Sequence, residues 1–419
     1  MALSLRAFLI MCYIKAKSRG EARPSYINFA LRNLTDAGPP ARAWSIFEES
    51  VRMAEQETSY TMIGAELSLY SGKVRSYLLQ KRIPFVETHT TPWELFRTAP
   101  KRTKASAVPI MITPEDEWLQ DSSVIIDELE KRFPACPVLP VTPVLRFASY
   151  LFELWGDEFW LPLAMHARWS HDENRALFVH DAGEALMRGY PMWLRNLLGN
   201  NHARLMRRLA RSVGVTPEGA PVIDRFAQVQ LDGLNRHFEH HAFLFGDRPS
   251  LGDYGLIGPL YAHLGRDPWP KRELIAPRPH LKAWIERMFQ PSEAPGAFDA
   301  DDRVAATLMP ALRSIFDEMV PFVAACAAEL RKTRPLASGG KIVRHMSPVS
   351  YPMAGGAHRR PALSYPVWMA QRMLDAFGAM STTDQQRVRE WLATVGGEEV
   401  LQLDLPHVER VGLAAVLAG

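Results

Sequence analysis

Cysteine is scarce in this chain of 419 residues, and the three present, Cys12, Cys136 and Cys326, lie far apart with no CxxC pair. Such spacing argues against a disulfide framework and against a cysteine-rich zinc module, and fits a reducing, cytoplasmic setting. Charge of one sign is missing as well. Lys and Arg number 49 against 46 Asp and Glu, a net of +3, so no overall field marks the chain as a nucleic-acid binder. Long hydrophobic runs are also absent. Ala7 to Ile14 is apolar between Arg6 and Lys15, but it falls well short of the ~20 residues a membrane-spanning helix requires. No small-residue cleavage site follows it. What remains is a globular chain long enough for two or three domains, with neither nucleic acid nor membrane expected as a partner.

Residues 1–62 read as a poorly ordered extension. From there the pattern tightens. Glu66 to Tyr70 alternates as a strand, Ser71-Gly72 breaks it, and Lys73 to Arg82 reads as a helix with Val74, Tyr77 and Leu78 on one face. Ile83 to Thr88 reads as a second strand, which after one intervening helix implies a parallel crossover. Trp93 to Arg97 is helical and Lys101, Arg102 and Lys104 form a basic loop. Ala107 to Ile112 and Glu117 to Leu119 then read as a hairpin. A helix follows over Gln120 to Phe133, with Ile125, Ile126, Leu129 and Phe133 facing inward. The order is βαβ, a short helix, ββ and α.

This order resembles the thioredoxin-like domain of glutathione S-transferases. Three segments carry the resemblance: Leu-Tyr-Ser-Gly-Lys-Val-Arg at 69–75, Val-Pro-Ile-Met at 108–111 and Gln-Asp-Ser-Ser-x-Ile-Ile-Asp at 120–127. The resemblance implies a glutathione-binding domain over residues 63–134. Val108, before a Pro109 that the family implies is cis, would offer its backbone to the cysteinyl part of glutathione. The helix start at Ser122 would hold the γ-glutamyl carboxylate. Asp121 or Gln120 would accept from the ammonium, and Lys104, Lys101 or Arg102 would meet the glycyl carboxylate. Ser71, or in its place Tyr70, would stabilise the thiolate as catalytic residue; a helix N-cap is the plainer role for Ser71, and Asp121-Ser122 can also be read as a cap. The few residues that normally separate the family's hydroxyl from Lys-Val-Arg are missing.

After Phe133, prolines at 134, 137, 140 and 143 mark an extended linker over 135–145. Residues 146–332 read as an all-helical domain: Leu145–Trp155, Glu173–Met187, Met192–Arg211, Val222–His241 and a helix from Ser250. Arg204, Arg207, Arg208 and Arg211 form a basic face best explained as solvated. Ser250-x-x-Asp253 is a capping box, a folding element that the family also carries. His237 and His241, with Glu239 and His240 nearby, lack His-Glu-x-x-His order and a third ligand, so no metal is expected. Residues 333–419 form an extension: Leu336–Leu363 is loop-rich, and Val367–Phe377 and Ser381–Val395 are helical. Leu401–Val411 adds a strand. Trp368, Met369, Met373 and Leu374 give the extension an apolar face that packs on the helical domain and covers the cleft.

The fold class is thus α/β plus all-α, a thioredoxin-like domain followed by a helical domain and an extension. Two functions fit. One is a detoxifying transferase that joins glutathione, as co-substrate, to a small apolar electrophile. The other is a non-catalytic glutathione-binding or interaction protein that keeps the fold. A homodimer is implied by the resemblance alone.

Overall fold

The structure, a computed structural model, describes residues 59–89, 91, 93–290 and 296–419. Its first strand is β1, Tyr60–Ile63, not Glu66–Tyr70. The β-branched and aromatic run Tyr-Thr-Met-Ile takes the strand, although it falls within the segment expected to lack order. The rest of 1–62, up to residue 58, lies outside the described residues. Helix α1, Leu69–Gln80, starts four residues before the expected Lys73 because Ser68 caps it, accepting from the Ser71 N–H. Strand β2, Phe85–Thr88, runs parallel to β1. Past Glu94–Thr98, a π turn, and the short helix α2, Ala99–Thr103, come β3, Ile110–Ile112, and β4, Trp118–Gln120. The sheet order is β2-β1-β3-β4, with β3 antiparallel to both of its neighbours. Helix α3, Ser122–Arg132, closes the domain and buries Ile125, Ile126 and Leu129.

Pro134, Pro137 and Pro140 lie in irregular chain, whereas Pro143, read as part of the linker, opens the next helix. No regular element covers 133–142, and the Val138 carbonyl accepts from Leu251 N–H at 2.9 Å, pinning the linker to the next domain. That domain runs through α4, Pro143–Leu154; a wide π turn at Trp155–Phe159; α5, Leu161–Trp169; α6, Arg175–Met187; α7, Met192–Ala210; α8, Ala220–Phe238; α9, Leu251–Pro259; and α10, Pro279–Arg287. The sequence reading missed α5 and α10. Each carries a proline in its first turn, where a proline is tolerated, though elsewhere it signals a break. The π turn and α9 meet backbone to backbone: a Cβ on Gly156 would sit 2.5 Å from the Gly255 carbonyl carbon. Only glycine allows that approach.

The helical domain ends with α11, Val320–Leu330, and the extension adds β5, His345–Met353; β6, Gly356–Leu363; α12, Tyr365–Gly378; α13, Thr382–Val395; β7, Val408–Val411; and β8, Ala414–Leu417. Much of the expected loop at 336–363 is therefore a hairpin. Pro348, Pro352 and Pro361 disguised it, since proline argues against a strand, yet a two-residue turn at Ala354 (φ 46°) and Gly355 (φ 71°) closes it. On α12, Met369 and Met373 are buried as expected, and Phe377 meets Phe147 of α4 edge to face at 5.7 Å.

The capping box is fully formed and fully buried. The Asp253 carboxylate accepts from Ser250 N–H (2.8 Å), Leu244 N–H (3.0 Å) and the Trp284 indole (3.1 Å). Burial raises its pKa to about 6 even so. Asp253→Ala strips four buried donors of their acceptor, the Ser250 hydroxyl (2.7 Å) among them, and is expected to lower unfolding free energy by about 3–5 kcal/mol in urea denaturation. A loss below about 1 kcal/mol would show that these donors are satisfied elsewhere.

Candidate functional site

The turn from β1 into α1 holds the two hydroxyls expected to face a thiol. Ser71 is neither the cap nor exposed. It lies within α1, fully buried, and its hydroxyl oxygen accepts from the Ala65 N–H at 3.2 Å. Tyr70 donates to the Asp157 carbonyl at 3.1 Å, and burial first, then the nearby carboxylates, push its pKa well above the ordinary value. Neither position suits a thiolate donor. The group at the strand-to-helix turn is Ser68, half-buried at the N-cap of α1. Sequence reasoning missed it because the strand was placed too late, although the Ser-x-x-Ser spacing ahead of Lys-Val-Arg was visible.

The second group converges. Ile110 pairs with Gln120 across β3 and β4, so Pro109 stands beside Asp121 at the start of α3. The Val108-Pro109 bond is cis, as the resemblance implies. Asp121 adopts φ 88° and caps α3, accepting from Ser123 N–H at 2.9 Å and Val124 N–H at 3.2 Å. Pro109, Gln120 and Ser122 are buried, and Val108 is half-buried. Lys104 is exposed in the left-handed region at φ 61°. Arg102 faces Asp116 at 3.3 Å, and Lys101 is exposed.

The extension sits on this group. Tyr365, at the start of α12, donates its hydroxyl to Asp121 Oδ2. Arg410, on β7, donates to Gln120 Oε1 at 3.1 Å and to the Gly412 carbonyl at 2.8 Å. Lys101 and Arg102, expected in a loop, lie in α2 with Lys104 as its C-cap, and the β7–β8 turn presses there, where a side chain at Gly412 would collide with the Lys104 carbonyl. Ser364 anchors β8 by accepting from Ala415 N–H at 3.0 Å. Of the groups assigned to the γ-glutamyl end of glutathione, Asp121 and Gln120 are thus already bonded within the chain.

Beneath them lies a buried ionic cluster. Lys73 Nζ of α1 donates to Ser123 Oγ (3.0 Å), Glu153 Oε1 (2.8 Å) and Asp157 Oδ2 (2.5 Å). Arg372 of α12 bonds Glu153 Oε2 at 2.7 Å and Asp127 of α3 at 2.7 and 2.8 Å. Burial disfavours the Lys73 ammonium, but Asp157 and Glu153 overcome it and raise its pKa. Burial also works against Glu153, yet Arg372 and Lys73 hold its pKa down at about 2. Asp157 goes the other way, raised by burial and by Glu153 against the pull of Lys73. His237 stands apart from the site, its ring nitrogens engaged by Thr307 Oγ1 at 2.8 Å and the Phe243 carbonyl at 3.2 Å.

A thioredoxin-like sheet with a cis proline facing a capped helix, joined to a helical bundle, defines the two-domain fold of glutathione transferases. Residues 62–137 match the family model for the glutathione S-transferase N-terminal domain and 230–287 that for its C-terminal domain. The chain thus carries both domains of the glutathione S-transferase fold. It is 24% identical over 140 residues to a stringent starvation protein A homolog of Pasteurella multocida, a match covering 33% of this chain and just under two thirds (66%) of that protein. The stringent starvation protein A homolog of Histophilus somni is 25% identical over 148 residues, covering 34% of this chain and 68% of that protein. Among solved structures, a glutathione S-transferase from Methylobacterium radiotolerans, in complex with glutathione sulfonate, is 21% identical; the match covers 59% of this chain and 100% of that one, with a TM-score of 0.33.

Glu153 generates a pH prediction. Its pKa lies at about 2 against an ordinary 4.5, so its contribution to native stability is complete above pH 4.5 and is lost as pH falls towards 2. Asp157, raised in the native state, contributes in the opposite sense, favouring the fold at low pH and less as pH rises through its native pKa. Glu153→Gln is expected to lower unfolding free energy by about 3–5 kcal/mol at neutral pH and to shrink that deficit in acid. Urea denaturation near neutral pH and at about pH 3 measures both; an equal deficit at the two would refute a carboxylate role.

Proposed function

We propose that this chain is a non-conjugating member of its family, a binding or interaction protein in which the C-terminal extension fills the place of glutathione. The observation that carries this reading is the pair of contacts from Tyr365 to Asp121 and from Arg410 to Gln120. A γ-glutamyl group needs a free acceptor for its ammonium and open N–H groups at a helix start for its carboxylate. Here the acceptors are taken, and the Ser123 and Val124 N–H groups already donate to Asp121. Ser71 cannot lower the pKa of a thiol while buried against Ala65.

A second reading is favoured by Ser68. Its hydroxyl lies half-buried at the positive end of α1, so it is the donor a thiolate would meet if the β7–β8 hairpin lifted. The two readings separate in one experiment. The unmodified protein is expected to show no glutathione-dependent rise in Tm and no conjugation of a generic chloronitrobenzene electrophile. The double variant Tyr365→Phe, Arg410→Ala should gain a glutathione-dependent rise in Tm. Conjugation by the unmodified protein that falls at least about tenfold in Ser68→Ala would overturn the first reading and establish the second.

A further inference from the structure

Helices α6 and α7 pack against each other, joined by Arg188–Pro191, and the outer face of α7 is made of two residue types seldom exposed together. Met192 is 67% exposed, Trp193 68%, Leu197 51% and Leu205 50%. Arg204, Arg208 and Arg211 are exposed as well. Steps of three, four and seven residues from Trp193 through Leu197 to Arg204, Arg208 and Arg211 align them as one stripe, with Leu205 on its flank. The basic face expected from sequence is therefore present, but it is interleaved with apolar side chains left bare to water.

The charge is one-sided. Between Glu184 and Glu218 the sequence has no Asp or Glu, against Arg188, Arg195, Arg204, Arg207, Arg208 and Arg211. The acidic groups facing this surface from α6 and the turn before it are already engaged: Glu184 with Arg195, and Asp172 with Arg207 at 3.2 Å. Arg204, Arg208 and Arg211 make no ion pair among the described residues. Beside the stripe lies an open cleft of about 270 Å³, lined by Arg175, Arg204, Arg207, His171, Asp172 and Trp169 among others. Trp169 is 7% exposed, and its indole N–H has no acceptor among the described residues.

An apolar groove on another protein would account for Trp193 and Leu197 but not for a run of arginines without acids. Nucleic acid would account for the arginines but not for bare Met192, Leu197 and Leu205, since bases stack on aromatic rings rather than on aliphatic chains. An anionic phospholipid surface accounts for both, because cationic side chains meet phosphate while Trp and Leu sink to the acyl boundary. We propose that the α6–α7 pair docks the protein on an anionic phospholipid surface, with a headgroup phosphate entering the cleft between Arg175, Arg204 and Arg207. The contact is peripheral. Among the described residues no helix is long and apolar enough to cross a membrane.

Sedimentation of the full chain with phospholipid vesicles tests this. With about a third of the lipid as phosphatidylglycerol in phosphatidylcholine, the protein is expected in the pellet at low salt; with phosphatidylcholine alone it stays in the supernatant. Arg204→Glu with Arg208→Glu should weaken partitioning at least about tenfold. Trp193→Ser with Leu197→Ser should weaken it while leaving its salt dependence. These side chains are exposed, so all variants should keep the unmodified Tm, which rules out misfolding as the cause. The proposal is overturned if the unmodified protein ignores anionic vesicles, if it binds neutral ones equally, or if the arginine variant binds undiminished. It is also overturned if Trp193→Ser with Leu197→Ser instead splits a dimer in solution, which would make this face a contact between copies of the chain.

Discussion

One ammonium group holds three parts of the molecule in register. Lys73 reaches from the thioredoxin-like domain into the gap between Glu153 and Asp157 of the helical domain, and Glu153 passes the connection to Arg372 of the extension, which returns to Asp127. Each charge is taken from water at a cost of several kcal/mol, recovered only while every partner stays in place. Such a cluster tolerates little sliding of one part against another. The close approach at Gly156 and Gly255 brings α9 against the turn that carries Asp157, so the helix crossing and the ionic contacts constrain the same region.

This arrangement changes what the preserved family features do. The cis Val108-Pro109 bond and the Asp121 cap survive in their family positions, but here they support a contact within the chain. Asp121 accepts from Tyr365 where a ligand's ammonium would stand, and Gln120 accepts from Arg410. In the proposed function the extension contributes by occupation. Its mimicry is chemical: an arginine and a phenol, both donors, meet the acceptors that an amino-acid headgroup would use.

Much of the fold was legible in the sequence. Helix α3, the proline linker, the capping box and most of the long helices lie within a few residues of their expected places, because apolar spacing and caps are local signals. The failures are also local in origin. Glu66 to Tyr70 alternates like a strand, but Ser68 caps a helix there, and this one shift moved the candidate hydroxyl from Ser68 to Ser71. Hairpin β5–β6 was hidden by its prolines. The site residues at 108, 109 and 120–122 were legible as a group because a short antiparallel pair brings them together. Their cover was not, because Tyr365 and Arg410 stand more than two hundred residues away in sequence. The apolar face of the extension was legible as a surface needing a partner; which polar groups it would engage could be read only from the folded chain.

Under the proposed function the β7–β8 hairpin, joined to the domain it covers, competes with any free ligand as an intramolecular neighbour. A short tether holds its guest at an effective concentration on the order of millimolar or above. A tripeptide in solution must match that local abundance, as well as the contacts, before it can displace the tail. Whether the cleft responds to its surroundings is thus set by the ratio of two concentrations, one dissolved and one written into the length of the chain between α13 and β7.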